Sequence, residues 1–322
     1  MRLISLLLVH LCCLPLAAQV YQSSNFLSTD YHTLSYRLSD SALVIGTEQG
    51  ILVMTKTDTL TLPGQRAVMH PDGKEATTLE TGLDKSILRR YNQDFKLLDS
   101  VQLAGKVVDL CYGKGKELFT LQSTNHQDND DLAEVYRLKN GKIKKHFFAG
   151  MPEGNVSSIA YEAKRKYLLI GGASQGAILT RKGRPRYGFA SPFWCYTQSF
   201  KHGLFAVFHR YRDASIIEVF HTPGKTAFAL KHELDTTYPA PNIPDGTHLA
   251  IIACFDFSPE TDYMLALDHS NALTVFQPSG QPVEQICKSE ACVFAFFLHD
   301  EVIAWYHKDK KKLIIVQPKK FD

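Results

Sequence analysis

The sequence predicts an all-β fold built from repeated units of four short strands. From Ile251 onward the segments IIACFDFS, YMLALDHS, ALTVFQPS and VEQICK follow one another and are separated by turn residues. Similar sets of segments recur along the chain, and their first turns are spaced by roughly 40 residues. The apolar content of 44% with 21% charged residues suits a globular protein with a sizeable core. Four-stranded units of this length, repeated in this way, are typical of the blades of a β-propeller.

Seven such units are predicted in order along the chain. They span residues 31–64, 66–103, 106–149, 156–191, 193–235, 249–288 and 291–318. Tight turns punctuate them, at Glu48 and Gln49 before Gly50 and at Asn140 with Gly141. The last unit has three strands, which would leave an open edge, so we expect Val20 to Leu27 to pair with Lys312 to Pro318. The predicted fold is therefore a seven-bladed β-propeller of four-stranded antiparallel blades, closed by the N-terminal strand.

Two segments carry a resemblance to a known repeat superfamily. HPDGKEA at 70–76 and FSPETDYMLAL at 257–267 resemble the strand, turn, strand signature of the WD40 and YVTN-like β-propellers. The chain has neither the Trp-Asp dipeptide nor the Gly-His pair of WD40 repeats. The resemblance therefore implies a fold and assigns no chemistry.

The N-terminus has the pattern of a secretory signal peptide. Arg2 precedes the apolar run LISLLLVHLCCLPLA, and small residues at Ala17 and Ala18 follow it. We expect residues 1–18 to be removed and 19–322 to form a single domain, exported to a periplasmic or extracellular location. No other stretch is apolar for long enough to form a stable membrane span. The formal charge of +3 falls to about +2 without Arg2, which gives no reason to expect a nucleic-acid partner.

The five cysteines of the mature chain are Cys111, Cys195, Cys254, Cys287 and Cys292. All but Cys287 lie in runs predicted to be first strands of a unit, where a small apolar side chain packs well, so buried free thiols are favoured. Cys287 and Cys292 flank a short connection, and a disulfide between them is the alternative. No CxxC or His-x-x-x-His spacing occurs, so neither a metal nor a cofactor is predicted.

Function is predicted on the face that carries the loops between second and third strands and the loops between units. The long stretches Ser123 to Asp131 and Asp235 to His248 lie in such loops. Aromatic and Arg side chains favour protein interfaces and also suit sugars, so the partner is expected to be another protein or a glycan, bound by a monomer. The predicted binding residues are Arg210, Tyr211, Arg212, Tyr238, Trp305, Tyr306 and His307.

Catalysis has less support in the sequence. The Asp-box of sialidases is absent, and no catalytic residue is assigned. The leading hypothesis is a non-enzymatic binding or scaffolding protein. The alternative is a hydrolase or lyase with a polar site at the axis, for which the candidate side chains are Asp109, Tyr196, Asp256 and His299.

Overall fold

A computed structural model of the chain describes the parts of it on which the fold rests. The described residues are 20–23, 31–37, 40–123, 132–152, 156–163, 165–172, 175–190, 195–200, 204–210, 215–221, 232–233, 252–258, 263–268, 271–277, 282–299 and 302–318. Their regular structure is entirely β, and the strands form seven antiparallel sheets, numbered in chain order. The prediction of an all-β protein with four-stranded antiparallel sheets is confirmed.

The first four sheets contain strands β1 to β17. Sheet 1 consists of β1 (Val20–Ser23), β2 (Tyr31–Arg37), β3 (Ala42–Thr47), β4 (Gly50–Met54) and β5 (Thr59–Leu62). Sheet 2 consists of β6 (Arg66–Met69), β7 (Glu75–Thr81), β8 (Lys85–Asn92) and β9 (Leu97–Ala104). Sheet 3 consists of β10 (Lys106–Tyr112), β11 (Glu117–Ser123), β12 (Leu132–Lys139) and β13 (Lys142–Pro152). Sheet 4 consists of β14 (Val156–Glu162), β15 (Tyr167–Gly172), β16 (Gln175–Thr180) and β17 (Pro185–Ala190).

The remaining three sheets contain β18 to β28. Sheet 5 consists of β18 (Cys195–Phe200), β19 (Leu204–Arg210), β20 (Ser215–His221) and β21 (His232–Glu233). Sheet 6 consists of β22 (Ile252–Phe257), β23 (Met264–Asp268), β24 (Ala272–Phe276) and β25 (Pro282–Lys288). Sheet 7 has three strands, β26 (Cys292–His299), β27 (Val302–His307) and β28 (Lys312–Val316).

Tight turns join the strands where the sequence predicted them. Asn140 and Gly141 connect β12 to β13 with φ values of 51° and 72°. Both values lie in the left-handed region that a type I′ hairpin requires, which Asn and Gly tolerate best. Glu48 and Gln49 likewise form a two-residue connection between β3 and β4. These turns fix the register of their hairpins and so decide which side chains share a face.

Most neighbouring sheets pack against one another, and one strand of each touches a strand of the next. β2, β6, β10, β14 and β18 lie next to one another in succession, and β22 lies next to β26. Apolar side chains fill the spaces between sheets, as in the cluster that joins sheets 6, 7 and 1. In that cluster the rings of Tyr36 on β2 and Phe296 on β26 are 5.5 Å apart. The first and last sheets are therefore in direct contact.

The N-terminal strand does not lie where the sequence predicted it. β1 pairs antiparallel with β2, from Val20 opposite Arg37 to Ser23 opposite Leu34. β28 is the terminal strand of sheet 7, and its only strand partner among the described residues is β27. The prediction that Val20 to Leu27 pairs with Lys312 to Pro318 is therefore wrong for the described strand. β1 covers the inner edge of sheet 1 and also touches β6 and β26.

Candidate functional site

Side chains of the first strands bind the main chain of the next sheet. Thr33 on β2 accepts a hydrogen bond through Oγ1 from the amide N of Ala67 at 2.8 Å. Ser35, two residues further, accepts one through Oγ from the amide N of Met69 at 3.2 Å. The first strand of a sheet has an inner edge whose amides lack a ladder partner, and a buried amide without an acceptor is costly. These hydroxyls satisfy two such amides.

Asp109 performs the same task between sheets 3 and 4. It is 1% exposed, and its Oδ2 accepts a hydrogen bond from the amide N of Ile159 at 2.9 Å. Its Oδ1 accepts a hydrogen bond from Nη1 of Arg66 at 3.0 Å. Burial raises the pKa of Asp109, while the Arg66 cation and the hydrogen bonds oppose that rise. Both carboxylate oxygens are thus engaged in holding three sheets together.

Asp256 is the corresponding residue between sheets 6 and 7. It is buried, and its Oδ2 accepts a hydrogen bond from the amide N of Phe297 at 2.8 Å. The two axial carboxylates proposed for catalysis therefore each have a structural partner in the neighbouring sheet. The side chains of Tyr196 and His299, the other axial candidates, lie outside the described residues.

The predicted binding residues divide into two groups. Trp305 and Tyr306 lie within β27 and are only 7% and 6% exposed, because both belong to the apolar cluster that joins sheets 6, 7 and 1. The ring of Tyr306 stacks on Phe294 at 5.1 Å, and that of Trp305 stacks on the half-buried His307 at 5.6 Å. Trp305 and Tyr306 are thus core residues here, and the loop begins at Lys308.

The other predicted binding residues cannot be located in the same way. Arg210 ends β19, opposite Ser215, and its side chain lies outside the described set. Tyr211, Arg212 and Tyr238 lie outside the described residues altogether, as do 124–131 and 235–248 of the two long loops. The binding face they define therefore stays a prediction.

A cleft opens between the outer parts of sheets 2 and 3. Its enclosed space is about 10 Å³, which is about enough for one water molecule. Nζ of Lys116 is 2.6 Å from Oε1 of Glu75, and Nε of Arg90 is 3.2 Å from Oδ1 of Asp99. Burial raises the pKa of Tyr112, which also lines the cleft. Because its cations and carboxylates already neutralise one another, the cleft has little net charge to offer a ligand.

A Gly-x-Ser-x-Gly pattern, which was not among the candidates above, occurs at residues 172–176. A nucleophile elbow needs this pattern in a turn from a strand to a helix. Here Gly172 ends β15 and Gly176 lies in β16, which pairs antiparallel with β15. The pattern is therefore followed by a strand, where a nucleophile elbow requires a helix.

Two further features bear on chemistry and location. Within the described ranges, no group of three His, Cys, Asp or Glu side chains is arranged to hold a metal ion. In the same part of the chain, no helix has the length and apolar character needed to cross a bilayer.

Sheet 7 contains the open edge that we expected the N-terminal strand to cover. Counted from β2 in sheet 1, the third strands of sheets 1, 3 and 6 bury apolar side chains fully, for example Val53, Val135 and Val275 at 0% exposure. β28 is also a third strand, with the sequence Lys-Leu-Ile-Ile-Val, yet none of its residues is buried. Ile315 is 59% exposed. The absence of a fourth strand from the described part of this sheet leaves four consecutive apolar residues partly open to solvent.

The hairpin beside β28 is strongly basic. It joins β27 to β28 and consists of Lys308, Asp309, Lys310 and Lys311, followed by Lys312 as the first residue of β28; all five are exposed. Four cations and one carboxylate at one end of an open apolar strand give that end a positive potential.

Comparison with known proteins identifies the architecture. No family model and no curated protein matches the sequence. The Cps50 (Swd1) β-propeller domain of Myceliophteria thermophila is similar in structure, with a TM-score of 0.61 and 15% identity over 93% of this chain and 100% of that one. The fold is that of a WD40-like β-propeller. Hsv2 of Kluyveromyces lactis matches with a TM-score of 0.54 and 13% identity, over 87% of this propeller and 95% of Hsv2.

A second form of Hsv2, in which loop 6CD is replaced by a Gly-Ser linker, gives a TM-score of 0.55 and 13% identity, over 90% and 97% of the two chains. Identities this low show the propeller fold and carry no information on ligands. The resemblance predicted from segments 70–76 and 257–267 is confirmed at the level of fold.

Proposed function

We propose that the protein is an exported, monomeric, non-enzymatic propeller that binds another protein. In this proposal the seven sheets are the blades of one ring, and residues 1–18 direct export. The contact of Tyr36 with Phe296 supports closure of the ring by packing of sheet 7 on sheet 1. The engagement of Asp109 and Asp256 between sheets supports a structural role for the axial carboxylates.

The proposal of a protein partner rests on the open edge of sheet 7. β28 has an apolar side-chain run and an outer main-chain edge with no strand partner among the described residues. Such an edge forms main-chain hydrogen bonds with any extended segment, and the exposed apolar side chains provide further contact area. A partner that adds a fourth strand to sheet 7 would bury Ile315 and complete the blade. Main-chain pairing of this kind favours a protein partner over a glycan.

The charge of the hairpin indicates which segment would bind. The lysines at 308 and 310–312 discourage β28 from pairing with a second copy of itself, because lysines on an edge oppose strand addition by other chains. The same lysines attract a segment with Asp or Glu beside its strand. The hairpin also lies on the side of the second-to-third-strand loops, where Arg210, Arg212 and Tyr238 are predicted to bind. One partner could therefore contact both the edge and the loop face.

A matched pair of substitutions tests the proposal. Ile315→Asp places a charge on β28, and Leu97→Asp does the same on β9, the outermost strand of sheet 2, where Leu97 is 58% exposed. Immobilised mature protein captures partners from the native exported fraction, and each captured protein is then purified and its affinity is measured. We expect Ile315→Asp to weaken binding at least about tenfold and Leu97→Asp to leave it unchanged.

If Ile315→Asp and Leu97→Asp bind the partner equally well, the edge of β28 is not the binding site. A partner lost only on replacing Arg212 and Tyr238 by Ala would instead assign recognition to the loop face. If the only ligand retained is a glycan, the proposal of a protein partner fails.

A further inference from the structure

Cys287 and Cys292 lie on either side of a short connection between sheets 6 and 7. Cys287 is near the end of β25, and Cys292 begins β26. The amide N of Cys292 donates a hydrogen bond to the carbonyl O of Ser289 at 2.9 Å, which folds the connection into a turn. The amide N of Ser289 donates to the carbonyl O of Asn271 at 3.0 Å, which ties that turn to the neighbouring strand. The turn therefore holds both cysteines in place.

The two thiols are in contact and differ in exposure. Both are free cysteines, and their side chains are hydrogen-bonded to each other. Cys292 is 2% exposed and belongs to the core cluster of sheets 6, 7 and 1, whereas Cys287 packs against that cluster and is half-buried. The hydrogen bond from Cys292 lowers the pKa of Cys287, and burial partly opposes this. An accessible thiol with a lowered pKa, next to a second thiol, is the arrangement of a reactive dithiol.

We propose that Cys287 and Cys292 form a redox-active dithiol site whose substrate is a disulfide, either a small one such as oxidised glutathione or that of a protein oxidant. The Cys287 thiolate attacks one sulfur of that disulfide, forms a mixed disulfide and releases the first thiolate. Cys292 then loses its proton, attacks the sulfur of Cys287 and displaces the second thiolate. Two cysteine thiols lose two electrons and two protons, and the external disulfide becomes two thiols.

Cys111 is the internal reference for this reactivity. It lies on β10, is 8% exposed, and burial raises its pKa well above the ordinary value. No free-thiol partner for Cys111 is found among the described cysteines. Its reaction with a disulfide should therefore be at least about tenfold slower than that of Cys287.

The arrangement of glutamates allows a direct test on the mature chain. Glutamyl endopeptidase cleaves after Glu284, Glu290 and Glu301, so peptide 285–290 contains only Cys287 and peptide 291–301 contains only Cys292. The reduced protein is treated with oxidised glutathione under native conditions, free thiols are blocked, and the digest is analysed by mass spectrometry without reduction. We expect the two peptides to appear joined, with the mass of two hydrogens lost, while Cys111 stays blocked as a free thiol.

Two variants separate the steps. In Cys292→Ser the half-buried thiol of Cys287 remains without its partner, so a stable mixed disulfide of Cys287 with glutathione should accumulate. In Cys287→Ser the buried Cys292 should not react. Absence of the joined peptides in the wild type, or equal reaction of the two variants, overturns the proposal. The wild-type digest decides the matter even if a variant fails to fold, and the result does not depend on protein binding at β28.

Discussion

Removal of β1 should destabilise the whole protein, for a reason that lies on β2. In sheets 1, 3 and 6, the strands β2, β10 and β22 each contain a β-bulge. A polar side chain at the first or third position after the bulge accepts a hydrogen bond from a main-chain amide of the next sheet. These side chains are Thr33, Ser35, Asp109 and Asp256. On β26 the same two positions are Phe294 and Phe296, which cannot accept a hydrogen bond. At these two positions sheet 7 therefore offers no such cap to β2, and β1 pairs with β2 instead.

The free energy of unfolding that is lost with β1 can be estimated from the hydrogen bonds between β1 and β2. The four residue pairs from Val20 opposite Arg37 to Ser23 opposite Leu34 should include two hydrogen-bonded pairs, each exchanging two bonds. At about 1 kcal/mol net for each bond, the loss is about 4 kcal/mol. The main chain of β2 would also be uncovered in a region where Leu34 and Tyr36 are 1% and 2% exposed. A loss of this size corresponds to a fall in Tm of roughly 8 °C.

The assay compares thermal and urea unfolding of residues 19–322 with those of residues 24–322. A chain that ends at 318 is the control, since it removes a similar length without touching a described strand. Addition of a synthetic peptide of residues 19–28 should partly restore the melting temperature. An unchanged melt of the shortened chain would refute the capping role of β1. Crosslinking of Gln22→Cys with Ser35→Cys, but not with Ile315→Cys, would separate pairing on β2 from pairing on β28.

Three further predictions use the same structure. Asp109→Ala should reduce the free energy of unfolding by about 3–5 kcal/mol in urea titrations, because it leaves Arg66 and the amide of Ile159 without their acceptor; a loss below about 1 kcal/mol would contradict the role. Replacing Arg210, Arg212 and Tyr238 together by Ala should abolish capture of the native partner with an unchanged melting point, and retained capture would exclude the loop face. Cys111 should resist a thiol reagent until urea unfolds the protein, and rapid native labelling would contradict its burial on β10.

The fold could be predicted from local signals that the structure confirms. Apolar alternation and turn pairs such as Asn140 with Gly141 are visible in a single sequence because they depend on neighbouring residues. The position of β1 could not be predicted in this way. It depends on Phe294 and Phe296 lacking an acceptor for the amides of a strand more than two hundred residues earlier, and no local pattern reports such a deficit.

The candidate site shows the same division. Trp305 and Tyr306 lead into a run of lysines and were predicted to bind a partner, but both pack into the core. The sequence indicated a strand through these residues, and the error was to expect their side chains to be exposed, since burial depends on the neighbouring sheets. The sequence did indicate an open edge after the third strand of the last unit. That β28 stays exposed could not be predicted, because it depends on β1 pairing with β2 instead.

The position of β1 determines whether the open edge of β28 is covered. Because β1 is used on the inner edge of sheet 1, it is not available for the outer edge of sheet 7. The run of Leu313, Ile314, Ile315 and Val316 then combines high β-propensity with exposure, which makes it prone to aggregation unless charge protects it. The flanking lysines provide that protection against identical chains, whose hairpins are equally basic. They do not oppose an acidic strand, so the same residues that keep the edge soluble also select the kind of partner that can complete the blade.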